Sequence, residues 1–125
     1  MKILLCEDDA NIATIARMAL EHVGHHTVTW VTDGDEALIQ GLSNKFDLVL
    51  LDDMMPKMSG VAVCAAYKKS EKMKTPVIFM SANPQDNRVS EFRPVTIGYI
   101  PKPFDPMMVS RQIDEILKAH FKQAV

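Results

Sequence analysis

Short apolar runs alternate along this chain with segments in which apolar residues recur at helical spacing. Strands are predicted at residues 3–6, 27–31, 48–51, 77–80 and 97–100. The run 48–51 is unbroken, as expected for a central parallel strand covered on both faces. This alternation predicts βαβ units and an α/β fold with a parallel sheet.

The first two helices have recognisable boundaries. The first is expected to begin near Asn11, a plausible N-cap, and to end at Gly24. Its inner face should carry Ile12, Ala16, Ala19, Leu20 and Val23. A second, short helix is predicted over 35–42, after a turn at Asp33-Gly34, and Gly41 should weaken it.

The remaining helices differ in clarity. Val63, Cys64 and Tyr67 indicate a third helix, whereas the segment 83–96, with Pro84 and Pro94, predicts a short or irregular fourth helix that ends before Pro94. The last helix should open at Asp105 as N-cap, with Pro106 in the first helical position. Its predicted inner residues are Val109, Ile113, Ile116 and Leu117.

Composition narrows the class of protein. The chain has 125 residues, which predicts one domain over 1–125 without a separate output domain. A net charge of −2 lacks the basic excess of a nucleic-acid binder, so direct DNA binding is disfavoured. No apolar run approaches the ~20 residues of a membrane span, which favours a cytoplasmic protein. Cys6 and Cys64 are expected as reduced core residues, and Trp30 as a residue on an exposed strand face that a partner could contact.

Polar residues follow the predicted strands at their carboxyl ends, where open α/β sheets bind ligands. They are Glu7, Asp8, Asp9, Asp52, Asp53, Ser81 and Lys102. Clustered carboxylates repel one another unless a cation, separation or protonation intervenes, and an all-oxygen ligand set suits Mg²⁺ rather than Zn²⁺. With Mg²⁺ and Lys102 facing it, Asp52 would be a carboxylate nucleophile for a phosphoryl group, and Ser81 would hydrogen-bond one phosphoryl oxygen.

The order and spacing of these motifs resemble a response-regulator receiver domain of the CheY type. The motifs are Glu7-Asp8-Asp9, the segment from Asp47 to Gly60 around Asp52 and Pro56, Ser81-Ala82, and the segment from Tyr99 to Phe104. The resemblance covers essentially the whole chain. It implies a flavodoxin-like, doubly wound fold with five parallel strands in the order 2-1-3-4-5 and five helices.

The resemblance also implies roles for individual residues. Asp52 would be the phosphoacceptor, and Lys102 would pair with the phosphoryl group. Asp8 and Asp9 would match the acidic pair that holds Mg²⁺, with Asp9 ligating directly and Asp8 partly through water, while Asp52 and the Met54 carbonyl complete the ligands. Ser81 and Tyr99 would be the switch residues that sense phosphorylation.

A function follows from these roles as an expectation. The protein would accept a phosphoryl group from a sensor histidine kinase or a histidine phosphotransfer protein, hydrolyse it slowly, and signal by binding a downstream protein target, as a monomer or a phosphorylation-dependent dimer. It would be a signalling phosphoacceptor rather than an enzyme. Asp53 and the unusual segment around Pro94 keep open a phosphorylation-independent interaction module, and a hydrolase or flavin protein of similar fold is a third hypothesis.

Overall fold

The computed structural model describes residues 1–82 and 88–123, and within them it contains one parallel sheet of five strands. The strands are β1 (Lys2–Cys6), β2 (Thr27–Val31), β3 (Leu48–Asp52), β4 (Val77–Ser81) and β5 (Thr96–Pro101). Their order is β2-β1-β3-β4-β5, which confirms the expected 2-1-3-4-5 arrangement. Every residue of β3 is buried, as the unbroken apolar run in 48–51 predicted, and every residue of β4 is buried as well.

Among the described residues, five α-helices accompany the sheet. They are α1 (Ala10–Met18), α2 (Gly34–Leu42), α3 (Gly60–Lys69), α4 (Arg88–Glu91) and α5 (Val109–Gln123). Helices α1 and α5 pack on one face, where Leu5, Leu50 and Met80 point. Helices α2 and α3 pack on the other face, against Leu4, Leu51 and Phe79. The sheet is therefore buried between two helical layers, as in other α/β folds.

The N-cap of helix α1 lies two residues before Asn11, the residue predicted for that position. Asp9 is the N-cap, because its Oδ1 accepts hydrogen bonds from the amides of Asn11 at 2.8 Å and Ile12 at 3.2 Å. A carboxylate at this position satisfies two amides that have no partner within the helix. The expectation for Asn11 was therefore wrong.

The end of the first helix is a π-helical segment, Ala19–Val23, followed by Gly24 as its C-cap. The amide of Gly24 bonds to the carbonyl of Ala19, five residues earlier. The wider π turn changes which side chains face inward. Ala19 and Leu20 are buried as predicted, but Val23 is 46% exposed, so its predicted inward orientation was wrong.

Gly41 has a packing role in α2. A side chain there would collide with the ring and hydroxyl of Tyr67 on α3, and that hydroxyl donates a hydrogen bond to the Ala37 carbonyl. The glycine lowers helix propensity, but it also lets a buried tyrosine link the two helices. Asp33 caps α2 by accepting from the Glu36 amide, so this helix begins one residue earlier than predicted.

Helix α5 begins at Val109, three residues after the predicted first position at Pro106. Asp105 still organises this start, because its side chain accepts from the Met107 amide and its carbonyl accepts from the amides of Met108 and Val109. These bonds close a separate turn before the helix. Val109, Ile113 and Leu117 are buried, and Ile116 packs against the same cluster, so the predicted inner face is confirmed.

The region predicted to be irregular contains the short helix α4, which ends before Pro94 as expected. Residues 83–87, including Pro84, lie outside the described part of the chain. Cys6 and Cys64 are fully buried, which confirms their predicted place in the core. Among the described residues, no helix combines the length and the apolar character needed to cross a membrane.

Candidate active site

Strand register brings the acidic residues at the ends of β1 and β3 to the same edge of the sheet. Cys6 pairs with Leu51, so Glu7, directly after β1, lies beside Asp52, the last residue of β3. Both are almost completely buried, at 1% and 3% exposure. Burying a carboxylate is costly unless it is paired, so a cation is required nearby.

Lys102 provides that cation. Its Nζ lies 2.8 Å from Asp52 Oδ1 and 3.0 Å from Glu7 Oε2, so one ammonium bridges two buried carboxylates. The lysine follows β5, and its backbone amide donates to the Ser81 carbonyl at 2.8 Å. The ends of β1, β3, β4 and β5 therefore meet around Lys102, through its side chain and its backbone amide.

Burial shapes the electrostatics of this group. Removal from solvent, together with the neighbouring Glu7 carboxylate, raises the pKa of Asp52 to about 7, although the hydrogen bond from Lys102 acts to lower it. Burial also acts to lower the pKa of Lys102, but its hydrogen bonds to Asp52 and Glu7 outweigh this and raise that pKa above its usual value. Additional positive charge near Asp52 would therefore strongly stabilise its ionised form.

Three carboxylates form an oxygen-rich group at this edge. One carboxylate oxygen from each of Glu7, Asp8 and Asp52 lies within 4.8 Å of the others. Asp8 is exposed, whereas the other two are buried, so the group opens to solvent on the side of Asp8. Hard divalent cations bind such oxygen sets, and Mg²⁺ in particular keeps waters on its open side.

Asp9 lies outside this group of carboxylates. Its side chain is occupied at the N-terminus of α1, where Oδ1 accepts from two amides. The acidic pair that joins Asp52 is therefore Glu7 with Asp8, one residue earlier than the pair Asp8 with Asp9 expected from the sequence. The sequence placed Glu7 among the clustered carboxylates but predicted no individual role for it. Glu7 and Asp52 each directly follow the apolar run of their strand, at Cys6 and Leu51, which pair with each other. This matching position is the sequence signal that identifies Glu7 as a neighbour of Asp52.

The structure also locates the other predicted site residues. Ser81 is the last residue of β4 and is 1% exposed. Tyr99 lies on β5, is 36% exposed, and borders a groove with Gln112 and Ile116 of α5. Met54 lies in the loop after β3, with a side chain that is 74% exposed.

The loop between β3 and α3 is attached to the turn before α2. The Gly34 amide donates to the Pro56 carbonyl at 3.1 Å, and Lys57 Nζ lies 3.4 Å from Asp33 Oδ2. The hydrogen bond from the Glu36 amide, with help from Lys57, lowers the pKa of Asp33. These contacts give the backbone after Asp52 a defined path.

Comparisons with known proteins agree with this geometry. A family model for the response regulator receiver domain matches residues 3–114. The chain belongs to the response regulator receiver domain family. The transcriptional regulatory protein ResD of Bacillus subtilis is 39% identical over 118 residues, which cover 94% of this chain and 48% of that protein. The chain thus spans about half the length of the curated relatives it matches.

Solved structures show the same receiver fold. The chemotaxis response regulator CheY4 of Vibrio cholerae superposes with a TM-score of 0.81 at 24% identity, covering 92% of this chain and 97% of that one. The receiver domain of the sensor histidine kinase PA1611 from Pseudomonas aeruginosa has a TM-score of 0.78 at 24% identity and covers 94% and 97%. That structure holds a magnesium ion in its active site cleft.

Proposed function

We propose that this receiver accepts a phosphoryl group on Asp52 and signals as a response regulator. One observation carries the proposal: a buried aspartate is held by a lysine that also binds a second carboxylate, beside an exposed third. Such a site combines a nucleophile with positive charge for an incoming phosphoryl group. Membership of the receiver family supports the same chemistry.

The proposed transfer exchanges one bond to phosphorus for another. An Asp52 carboxylate oxygen attacks the phosphorus of a donor phosphohistidine, and an oxygen–phosphorus bond forms as the nitrogen–phosphorus bond breaks. The electron pair of the broken bond goes to the imidazole nitrogen, which takes a proton from solvent. Slow hydrolysis reverses the modification when water attacks the phosphorus and the Asp52 carboxylate leaves with its electron pair.

The residues present fit a Mg²⁺ cofactor. The oxygens of Glu7, Asp8 and Asp52 would hold the ion, and the Met54 carbonyl in the following loop is a further proposed ligand. When bound, Mg²⁺ neutralises charge on the phosphoryl oxygens. The magnesium ion in the Pseudomonas receiver domain supports this proposal. Asp9, which the sequence suggested as the direct ligand, is assigned here to capping α1 instead.

Other residues have proposed roles around the phosphoryl group. Lys102 holds Asp52 in the unmodified protein and would pair with a phosphoryl oxygen after transfer. The Ser81 hydroxyl, at the adjacent strand end, would bond another phosphoryl oxygen. Tyr99 on the neighbouring strand would report this change at the groove between β5 and α5.

The proposed partners follow from this chemistry. A sensor histidine kinase or histidine phosphotransfer protein would supply the phosphoryl group, and a downstream protein, or a second copy of the receiver, would recognise the phosphorylated form. We place these events in the cytoplasm, in line with the expectation from the sequence.

The proposal is tested by phosphorylation with a small donor. Incubation with acetyl phosphate and Mg²⁺ should add one phosphoryl group to the wild-type protein, measured as a mass gain of the intact chain. Asp52→Asn should show no gain, whereas Asp53→Asn, a matched change at the neighbouring carboxylate, should be modified. Modification of Asp52→Asn to the wild-type extent would contradict the assignment. A wild-type protein that is never modified but still binds its target would favour the phosphorylation-independent module.

A further inference from the structure

Trp30 contacts the acidic site through the protein backbone. The chain has a single tryptophan, and it lies on the edge strand β2. Its indole Nε1–H donates a hydrogen bond of 2.7 Å to the carbonyl oxygen of Glu7. Trp30 is half-buried and packs against the core between the sheet and helices α1 and α5, so it does not lie on the exposed strand face that the sequence suggested.

Strand β2 therefore holds the Glu7 residue at both of its backbone polar groups. The Glu7 amide donates to the Val31 carbonyl at 3.1 Å, and the Glu7 carbonyl accepts from Trp30. This carbonyl belongs to the peptide group that leads directly into Asp8. The indole thus acts on the backbone between the two carboxylates that join Asp52.

Asp8 lies between two fixed points. On one side is the Glu7 peptide held by Trp30, and on the other is Asp9, which is anchored as the N-cap of α1. Asp8 itself is exposed and has less surrounding structure to orient it. Its position relative to Asp52 consequently depends on the two anchors that flank it.

We propose that Trp30 is a positioning residue for the acidic site, and that its indole N–H sets the backbone from which Glu7 and Asp8 reach a divalent cation. The inference rests on the proposed function, because it concerns the same metal site. It differs from a packing role, in which only the aromatic bulk of Trp30 would matter. The two roles are distinguished by a replacement that removes the N–H and keeps the aromatic bulk, because only the positioning role requires the N–H.

Two replacements remove the donor. Trp30→Phe deletes the indole N–H and keeps an aromatic ring, and substitution of the single tryptophan by β-(3-benzothienyl)alanine replaces the N–H by sulfur with nearly the same shape. The matched control is Val28→Ala, which trims a neighbouring side chain packed against the same core cluster without touching Glu7. All proteins are compared well below their unfolding temperatures.

The measurement is Mg²⁺ affinity, obtained by titrating the Asp8 amide signal in nuclear magnetic resonance spectra. Loss of one hydrogen bond that orients the ligands should raise the Mg²⁺ dissociation constant by about threefold to tenfold in both donor-free proteins. Val28→Ala should lower the unfolding temperature and keep the wild-type constant. Wild-type affinity in both donor-free proteins would overturn the inference, as would an equal loss of affinity in Val28→Ala.

A second measurement follows the tryptophan itself. In wild type the indole N–H signal should shift with the same Mg²⁺ dependence as the Asp8 amide, and Asp8→Asn should abolish that shift. An indole signal that is unchanged at saturating Mg²⁺ would refute the coupling while leaving the proposed function intact. Failure of the wild-type Asp8 amide to respond to Mg²⁺ would instead refute the metal site, and the positioning role with it.

Discussion

The buried Asp52 carboxyl predicts an unusual dependence of stability on pH when metal is absent. Its pKa is raised to about 7 in the folded protein, from a usual value of 3.8. Between these values the folded protein keeps a proton that the unfolded chain has lost. Stability linked to Asp52 is therefore greatest at low pH and falls as pH rises through this window, because the unfolded state binds fewer protons.

The size of the effect follows from the difference in pKa. One pKa unit corresponds to about 1.4 kcal/mol, so the full difference amounts to about 4 kcal/mol. The interval from pH 5 to pH 8 accounts for about 3 kcal/mol of it, a large share of the roughly 5–15 kcal/mol that stabilises a typical domain. Asp52→Asn removes the titrating group and should remove this slope.

The assay is urea unfolding with a metal chelator at constant ionic strength, performed at intervals from pH 5 to pH 8 on wild type and Asp52→Asn. The free energy of unfolding of the wild type should decline by about 3 kcal/mol relative to the variant. His26, whose pKa is lowered mainly by burial, contributes an opposite slope, but it is present in both proteins and cancels in the difference. A difference that stays constant across this range would refute the reasoning.

Further predictions concern neighbouring residues. Millimolar Mg²⁺ should raise the unfolding temperature of the wild type more than NaCl of equal ionic strength, and Asp8→Asn should abolish the excess; equal effects of the two salts would argue against the site. Asp9→Ala should cost about 1 kcal/mol of stability through the lost N-cap and keep Mg²⁺ affinity, whereas a loss equal to that of Asp8→Asn would make Asp9 a ligand. Gly41→Ala should destabilise the protein by about 1–3 kcal/mol in urea unfolding, because its methyl group meets the Tyr67 ring; a stabilised variant would contradict this packing. Lys102→Met should cost about 3–5 kcal/mol at pH 8, where two buried carboxylates lose their shared cation, and a neutral effect in the same assay would show that the ion pairs contribute little.

Much of the architecture could be predicted from the sequence, because strand-length apolar runs and helical periodicity are local properties. The paired strand ends also place Asp52 and Lys102 at a common edge, where Lys102 Nζ lies 2.8 Å from Asp52 Oδ1. The end of the first helix could not be predicted in the same way. The π-helical turn that exposes Val23 depends on backbone hydrogen bonds five residues apart, and the spacing of apolar residues in the sequence does not reveal them.

The acidic site shows a second limit of sequence reasoning. Glu7, Asp8 and Asp9 are consecutive, and an aspartate that ligates a cation and one that caps a helix have the same local sequence signal. Because α1 begins at Ala10, Asp9 is the N-cap, and Glu7 and Asp8 are the carboxylates left to face Asp52. The expected exposed strand face of Trp30 was also wrong, because alternation along an edge strand does not show which of its faces a helix covers.

Charge at the site connects the proposed chemistry to the rest of the fold. With all groups ionised, three carboxylates and one ammonium carry a net charge of −2, which one divalent cation neutralises. The proposed phosphorylation would replace the single charge of Asp52 with about two charges and move them outward from the carboxylate. Lys102 would sense this change directly, because its Nζ bonds to Asp52 and its backbone amide bonds to the Ser81 carbonyl. Since Lys102 directly follows β5, any displacement of this lysine acts on the strand that carries Tyr99, and the proposed signal reaches the α5 groove through a short covalent path.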